Sequence, residues 1–353
     1  MPLAPFVRTH TAAVLAGPGD LQLHRRPRPA PGAGEVLVKI HTVGICGSDA
    51  AYYRGSAAYA VTAPFVMGHE ASGIVAELGD GVTTVTPGAP VALVPSLSCG
   101  SCGQCLAGFD NLCPHTRYLG SAAVEPHRDG ALQEYLVLPA THVLPLPDGT
   151  DLPTGALLEP LAVALHAVRK TPVAGRNVLI VGGGAIGQLT AVAARGLGSA
   201  SIAVMDVSAR RAHLAVEHGA DAAFTAGELE AAVAAGSRYD VVFDASGHPA
   251  GVELALRAVT PGVGHVVLVG NLPAGSGIPH KYISQAESWV TSTLRFAGGL
   301  APALEFLKDT GLDISWLVEQ NVPFTDILDV FGPEAGAHPP LKVHIQFTEQ
   351  PTP

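Results

Sequence analysis

The run Asn177-Val178-Leu179-Ile180-Val181 passes straight into Gly182-Gly183-Gly184-Ala185-Ile186-Gly187, and an Ala-rich stretch follows to Gly196. A run this apolar and β-branched reads as a strand buried on both faces. Between such a strand and a helix, Gly182-x-Gly184-x-x-Gly187 is a dinucleotide-binding turn. Its glycines let the backbone approach a pyrophosphate, which rests on the helix N-terminus. A second strand, residues 201–205, ends on Asp206, nineteen residues past Gly187. A carboxylate there accepts the ribose hydroxyls and repels a 2′-phosphate, so NAD is expected over NADP. Arg210 and Arg211 follow closely and temper that preference, because either offers charge to a phosphate. Residues 239–243 and 265–269 are further strand candidates. Strand-helix alternation of this kind makes an α/β, doubly wound parallel sheet.

The cysteines divide into one isolated residue, Cys46, and a cluster, Cys99-x2-Cys102-x2-Cys105-x7-Cys113. An odd number of five argues for metal or catalysis over disulfides. Four thiolates on a loop that turns at Gly100, Gly103 and Gly108 close a tetrahedral zinc site. Such a site is structural, because no coordination position is left for water or substrate.

Cys46 belongs to a second constellation. Gly44-Ile45-Cys46-Gly47-Ser48-Asp49 is followed by Gly68-His69-Glu70, and Glu159 stands in Leu157-Leu158-Glu159-Pro160. Sulfur, nitrogen and carboxylate oxygen are the mixed donors of a zinc site kept open for catalysis. Cys46, His69 and Glu70 are the candidate ligands, with Glu159 as a fourth. The residue before a proline avoids the helical region, which fixes the direction of the Glu159 carboxylate even though the stretch around it is helical in composition.

The length of 353 residues fits about two domains. A net charge of −10 argues against a nucleic-acid surface, which needs clustered Lys and Arg. No uncharged apolar stretch approaches the roughly 18 residues of a membrane span, so no membrane partner is expected. Met1-Pro2-Leu3-Ala4-Pro5 lacks the charged-then-apolar pattern of a leader, and a cytoplasmic protein is the expectation. Residues 11–24, 35–45, 72–76, 91–94 and 130–138 read as strands, separated by Gly and Pro, which makes the N-terminal part β-rich. Residues 156–170 read as a helix, and 339–347 as a last strand returning to the first domain.

On Cys46-Gly47-Ser48-Asp49, Gly68-His69-Glu70, the four-cysteine loop, Glu159-Pro160-Leu161-Ala162-Val163-Ala164-Leu165-His166 and the glycine fingerprint, the chain resembles the zinc-dependent medium-chain alcohol/polyol dehydrogenases. Glu159 and Leu294-Arg295-Phe296 are most similar to the sorbitol and L-idonate 5-dehydrogenase branch. The resemblance implies a GroES-like, partly open β-barrel catalytic domain over residues 1–157 and 294–353, and a Rossmann NAD domain over 158–293. It implies two zinc ions per chain, one catalytic on Cys46, His69, Glu70 and Glu159, and one structural on Cys99, Cys102, Cys105 and Cys113. Glu159 is either a ligand or the partner of the zinc water. Tyr52 and Arg295 would contact substrate, beside Phe296. Ile186, Asp206, Arg211 and Val269-Gly270-Asn271 would contact NAD. The implied reaction passes a hydride from a secondary alcohol of a polyol or sugar acid, best read as L-idonate, to NAD. Sorbitol, xylitol, butanediol or threonine are alternative substrates, and a non-catalytic NAD-binding sensor is the alternative of another class. A homodimer or homotetramer, joined through the last strand of the nucleotide sheet, is the implied assembly. Where the family commonly carries a proton-relaying His, this chain has Ala51, so the proton is expected to leave through Ser48, Glu70 or water. His280 and Lys281 are expected on a solvated loop.

Overall fold

The computed structural model describes residues 8–57, 59–331 and 339–347. The chain divides into two compact units, Met1–Glu159 with Gly299–Ala301 and Ile314–Pro353, and Pro160–Gly298 with Pro302–Asp313.

In the first unit, β1 (Thr9–Gly17) and β2 (Asp20–Pro27) form an antiparallel hairpin. The single strand expected over 11–24 is therefore two strands. Pro18 cannot donate to a ladder, and Gly19 turns the chain at φ +75°. After β3 (Glu35–Gly44) come a helix, α1 (Gly47–Arg54), and two strands, β4 (Phe65–Val66) and β5 (Glu70–Leu78). Then follow β6 (Pro90–Leu93), β7 (Ser96–Leu97), β8 (Arg117–Tyr118), β9 (Tyr135–Pro139) and β10 (Val143–Pro145). The strand expected over 130–138 begins only at Tyr135. Strand β4 pairs with β1, β7 pairs with β8, and near the C-terminus β17 (Val318–Pro323) and β18 (Lys342–Gln346) complete the main sheet, ordered β10-β6-β5-β3-β18-β17, with β9 also on β3. Inward residues Val36, Val38, Ile40, Val43, Val75, Val91, Leu93 and Ile345 make its core. Each such side chain contributes roughly 1.5–3 kcal/mol. The register sets Glu70 opposite Gly44 and Gly44 opposite His344, so these three share one face.

Helix α3 (Leu152–Val168) carries the chain to the second unit and contains Pro160 in its interior. Glu159 is thus helical, against the local pre-proline preference. An interior proline costs about 3 kcal/mol or more. Leu157, Leu158, Leu161 and Leu165 are all at most 1% exposed, and their burial outweighs that cost.

The second unit is a parallel sheet with helices between its strands. Its elements are β11 (Asn177–Val181), α4 (Ala185–Gly196), β12 (Ser201–Met205), α5 (Ala209–Glu217), β13 (Ala222–Phe224), α6 (Ala226–Ala234), β14 (Val241–Asp244), α7 (Pro249–Ala258), β15 (His265–Leu268), α8 (His280–Ala286) and β16 (Trp289–Ser292). The order β13-β12-β11-β14-β15-β16 reverses direction between β11 and β14. Open sheets bind ligands outside the strand ends at such a switch point. His280 and Lys281 open α8 rather than lying on a loop; both are exposed. Helix α9 (Ala301–Thr310) lies in this unit apart from its first residue, although residues from 294 onward were expected in the first domain. The reason is local: Gly196 has no side chain, and the Phe306 ring occupies the space where its Cβ would stand.

Candidate metal and dinucleotide sites

The four cysteines converge in a lobe, residues 98–116, between β7 and β8, two strands that pair with each other as a separate two-stranded sheet. Sulfur separations are 3.9 Å for Cys99–Cys105, 3.5 Å for Cys102–Cys105, 3.8 Å for Cys102–Cys113 and 3.5 Å for Cys99–Cys113. A tetrahedron with metal–sulfur bonds of about 2.3 Å has edges of about 3.8 Å, whereas a disulfide needs about 2.05 Å. All four thiols are free, and the geometry fits one Zn²⁺. Helix α2 (Gly103–Leu106) inside the lobe has no buried residue, so apolar packing does little to hold it.

The second group is Cys46, His69 and Glu70, whose ligand atoms lie within 4.8 Å of one another. Each is delivered by a different device. Cys46 is the N-cap of α1. His69 follows Gly68, whose φ of +91° and contacts with Val43 and Leu132 exclude a side chain. Glu70 opens β5, and its carboxylate lies over Gly44, where any Cβ would meet Oε2 at 2.3 Å. The fully buried Asp49 ties these pieces together. Its Oδ2 accepts the Cys46 N–H at 2.9 Å and its Oδ1 the Gly68 N–H at 3.3 Å. Burial alone would lower the His69 pKa, but the Cys46 thiolate, which also hydrogen-bonds the ring, outweighs it together with Asp49 and Glu159. The imidazole is consequently held well above its ordinary value. A pocket this rich in negative charge, with sulfur, nitrogen and oxygen donors converging, fits a divalent zinc ion.

Glu70 has a partner the sequence reading did not name. Lys342 Nζ donates to Oε1 at 2.7 Å and Oε2 at 2.6 Å, and to the Ile45 carbonyl at 3.2 Å. Glu70 is 1% and Lys342 4% exposed. Burial lowers the affinity of Lys342 for its proton, but Glu70, then Cys46 and Glu159, more than reverse that and keep the ammonium charged. Each carboxylate oxygen keeps a further lone pair for a metal. Glu159 is buried near these groups but falls outside the three-residue cluster. Its Oε1 accepts the Tyr118 hydroxyl at 2.6 Å. Burial pushes its carboxyl pKa up, against His69.

Asp49, Tyr118 and Lys342 were thus missed as site residues. Asp49 carried a signal, three residues past a helix-capping position. Lys342 carried one too, as a charge inside an apolar strand at an inward position. Of the other expected residues, Ser48 is half-buried in the first turn of α1. The Tyr52 hydroxyl lies 3.1 Å from Ser121 Oγ, with its ring edge-on to Phe65. Arg295 adopts left-handed backbone at φ +52°, and Phe296 is buried.

In the second unit the structure gathers Gly182, Gly184, Gly187 and the 269–271 turn at the ends of β11, β14 and β15. A Cβ on Gly187 would meet the Gly182 carbonyl at 1.8 Å, and one on Gly270 the Gly247 nitrogen at 2.3 Å. Only glycine permits these approaches. Gly184 caps α4 with no side-chain hydrogen bond, so the first amides of that helix point at an anion-binding position beside Ile186. Asp206 Oδ2 accepts the Gly183 N–H at 2.7 Å and Oδ1 the Ser208 N–H at 2.8 Å. Gln188 Nε2 donates to the carbonyls of Gly183 at 3.0 Å and Arg211 at 2.7 Å, tying the turn to α5. The Val269 and Gly270 amides donate to the Asp244 carbonyl at 2.8 and 2.9 Å, and Asn271 packs on Gly247. Burial raises the Asp244 carboxyl to about 6. The arrangement fits a dinucleotide.

An antiparallel-sheet unit with two zinc-competent clusters, together with a parallel dinucleotide sheet, defines a zinc-binding dehydrogenase. The family model for the alcohol dehydrogenase GroES-like domain matches residues 32–148, and that for zinc-binding dehydrogenases matches 185–309. Sheep sorbitol dehydrogenase is 34% identical over 329 residues, covering 90% of this chain and 91% of that protein. The crystal structure of Escherichia coli L-idonate 5-dehydrogenase superposes with a TM-score of 0.89 at 32% identity, over 96% of this chain and 99% of that one. A zinc-binding dehydrogenase of Sinorhizobium meliloti solved with NADP gives 0.85 at 32% identity, over 96% and 99%. The chain belongs to the zinc-dependent medium-chain alcohol/polyol dehydrogenase family, and is an NAD(P)-dependent oxidoreductase of CH–OH groups. Among the described residues no helix is long and apolar enough to cross a membrane.

Proposed function

We propose that this enzyme oxidises a secondary alcohol of a polyol or sugar acid with NAD, and that L-idonate is its substrate. The observation that carries this reading is the convergence of Cys46, His69 and Glu70 beside the buried carboxylate of Glu159. Cys46, His69 and Glu70 hold the zinc, with Glu159 as a fourth ligand or as partner of its water. When bound, Zn²⁺ supplies a Lewis acid that lowers an alcohol's pKa toward about 7, and NAD supplies the hydride acceptor. The chain supplies the rest. Tyr52 and Arg295 contact the substrate's hydroxyls and carboxylate, beside Phe296. Ser48 or Glu70 passes the hydroxyl proton to water, since position 51 is Ala. Asp206, whose carboxylate is fixed by two backbone amides, holds the ribose hydroxyls and disfavours a 2′-phosphate. Ile186, Arg211 and the 269–271 turn complete the NAD contacts.

The test is a substrate panel of L-idonate, sorbitol, xylitol, 2,3-butanediol and L-threonine, with NAD and NADP in parallel. L-Idonate with NAD is expected to give the highest kcat/KM, and Cys46→Ser to lose several kcal/mol of transition-state stabilisation, about a thousand-fold in kcat. A neutral polyol preferred over the sugar acid would overturn the substrate assignment, and a fully active Cys46→Ser would overturn the site.

A second copy is proposed to pair along β16, an edge strand on which Trp289 is 69% exposed. Light scattering at micromolar concentration is expected to give at least a dimer; a monomer mass removes this pairing.

A further inference from the structure

We propose that Tyr118 is a positioning residue through which the four-cysteine lobe is coupled to the Cys46–His69–Glu70 centre. The inference rests on the reading that both clusters hold zinc. The root of the lobe is slight: β7 and β8 pair only at Ser96–Tyr118 and Leu97–Arg117, extended by the Leu119 amide on the Pro95 carbonyl at 3.0 Å. The lobe above that root buries little. Leu106 is 77% exposed, and Phe109 and Leu112 are exposed as well. Its order therefore depends on the four sulfurs and the cation they hold.

Tyr118 sits at the last paired position of that root and is itself 5% exposed. Its side chain reaches the other centre in two ways. The hydroxyl donates to Glu159 Oε1 at 2.6 Å, and the ring lies edge-on to His69, centroids 5.7 Å apart at 62°. One contact orients the buried carboxylate and the other braces a ligand ring. Beyond Tyr118 the strand is anchored by Leu119, which is 1% exposed, but on the lobe side only the Leu97–Arg117 pair holds it, and a net hydrogen bond is worth only about 1 kcal/mol. Loss of the lobe metal thus loosens Tyr118, and with it the side chains that orient the second metal.

The test is chelator-driven zinc release from the loaded full-length enzyme, followed with a colorimetric chelator. Cys46→Ser, which retains the lobe metal alone, identifies the phase belonging to each site. Tyr118→Phe keeps the ring and removes the hydroxyl. It is expected to release the Cys46-site zinc about ten-fold faster, the scale of a lost outer-shell partner, and to leave the lobe phase unchanged. Cys105→Ser is expected to accelerate that same release in the wild-type background and to add clearly less in the Tyr118→Phe background, where only the ring contact with His69 remains to be lost. A purely structural tyrosine would shift both phases or add independently of the lobe. Unchanged release in Tyr118→Phe, or full additivity with Cys105→Ser, overturns the coupling while leaving the two-zinc reading intact. A wild type holding only lobe zinc removes both. Should Cys105→Ser not fold, the wild-type time course decides: release from the Cys46 site is expected to quicken once the lobe phase is complete, and a Cys46-site rate indifferent to lobe-zinc loss overturns the coupling.

Discussion

Lys342→Met is expected to destabilise the metal-free protein by about 3–5 kcal/mol, the scale for breaking a buried ion pair from one side. Methionine fills much of the lysine's volume, so packing changes little. What remains is a carboxylate, 1% exposed, that has lost a cation bonded to both its oxygens. Desolvating an uncompensated carboxylate costs more than any aliphatic contact restores. Lys342→Arg, which keeps the charge, is expected to lose less. Zinc should partly rescue the methionine variant, because a bound cation compensates the same carboxylate. Urea unfolding with and without zinc measures all three terms. A Lys342→Met protein within about 1 kcal/mol of the wild type, with no zinc dependence, would show that Glu70 does not rely on this partner.

Cys105→Ser acts on the other metal. Structural zinc in small modules contributes on the order of 10 kcal/mol to folding, and the lobe's helix α2 has no buried residue to replace it. Removing one of four thiolates is expected to take the lobe zinc away and lower the thermal midpoint together, while the Rossmann unit, built on its own core, still binds NAD. Metal analysis beside calorimetry reads both. An unchanged zinc-to-protein ratio would sink the structural assignment, since a tetrathiolate site cannot keep its affinity with one sulfur gone.

These two residues also mark how far the sequence could be read. Cys105 was legible because metal ligands on one loop announce themselves by spacing, and the fold brings together what the chain already holds close. The glycine fingerprint was legible for the same reason: Gly182, Gly184 and Gly187 belong to one turn, and Asp206 is one strand further on. Lys342 was not legible as the partner of Glu70, because 272 positions separate them and only the register of β5, β3 and β18 makes them neighbours. Tyr118 was hidden similarly, forty-one positions from the carboxylate it holds. Glu159 shows the opposite failure. A local rule disfavours helical backbone at that position, and the burial of four leucines on α3 overruled that rule.

By itself, then, the sequence determined the two donor clusters, the parallel sheet and its dinucleotide turn, because each is written in residues a few positions apart whose chemistry admits few uses. Tertiary structure alone decided which buried groups neutralise, orient and brace those donors. Strand register and helix packing set those pairings, and both depend on the whole hydrophobic core rather than on any local stretch.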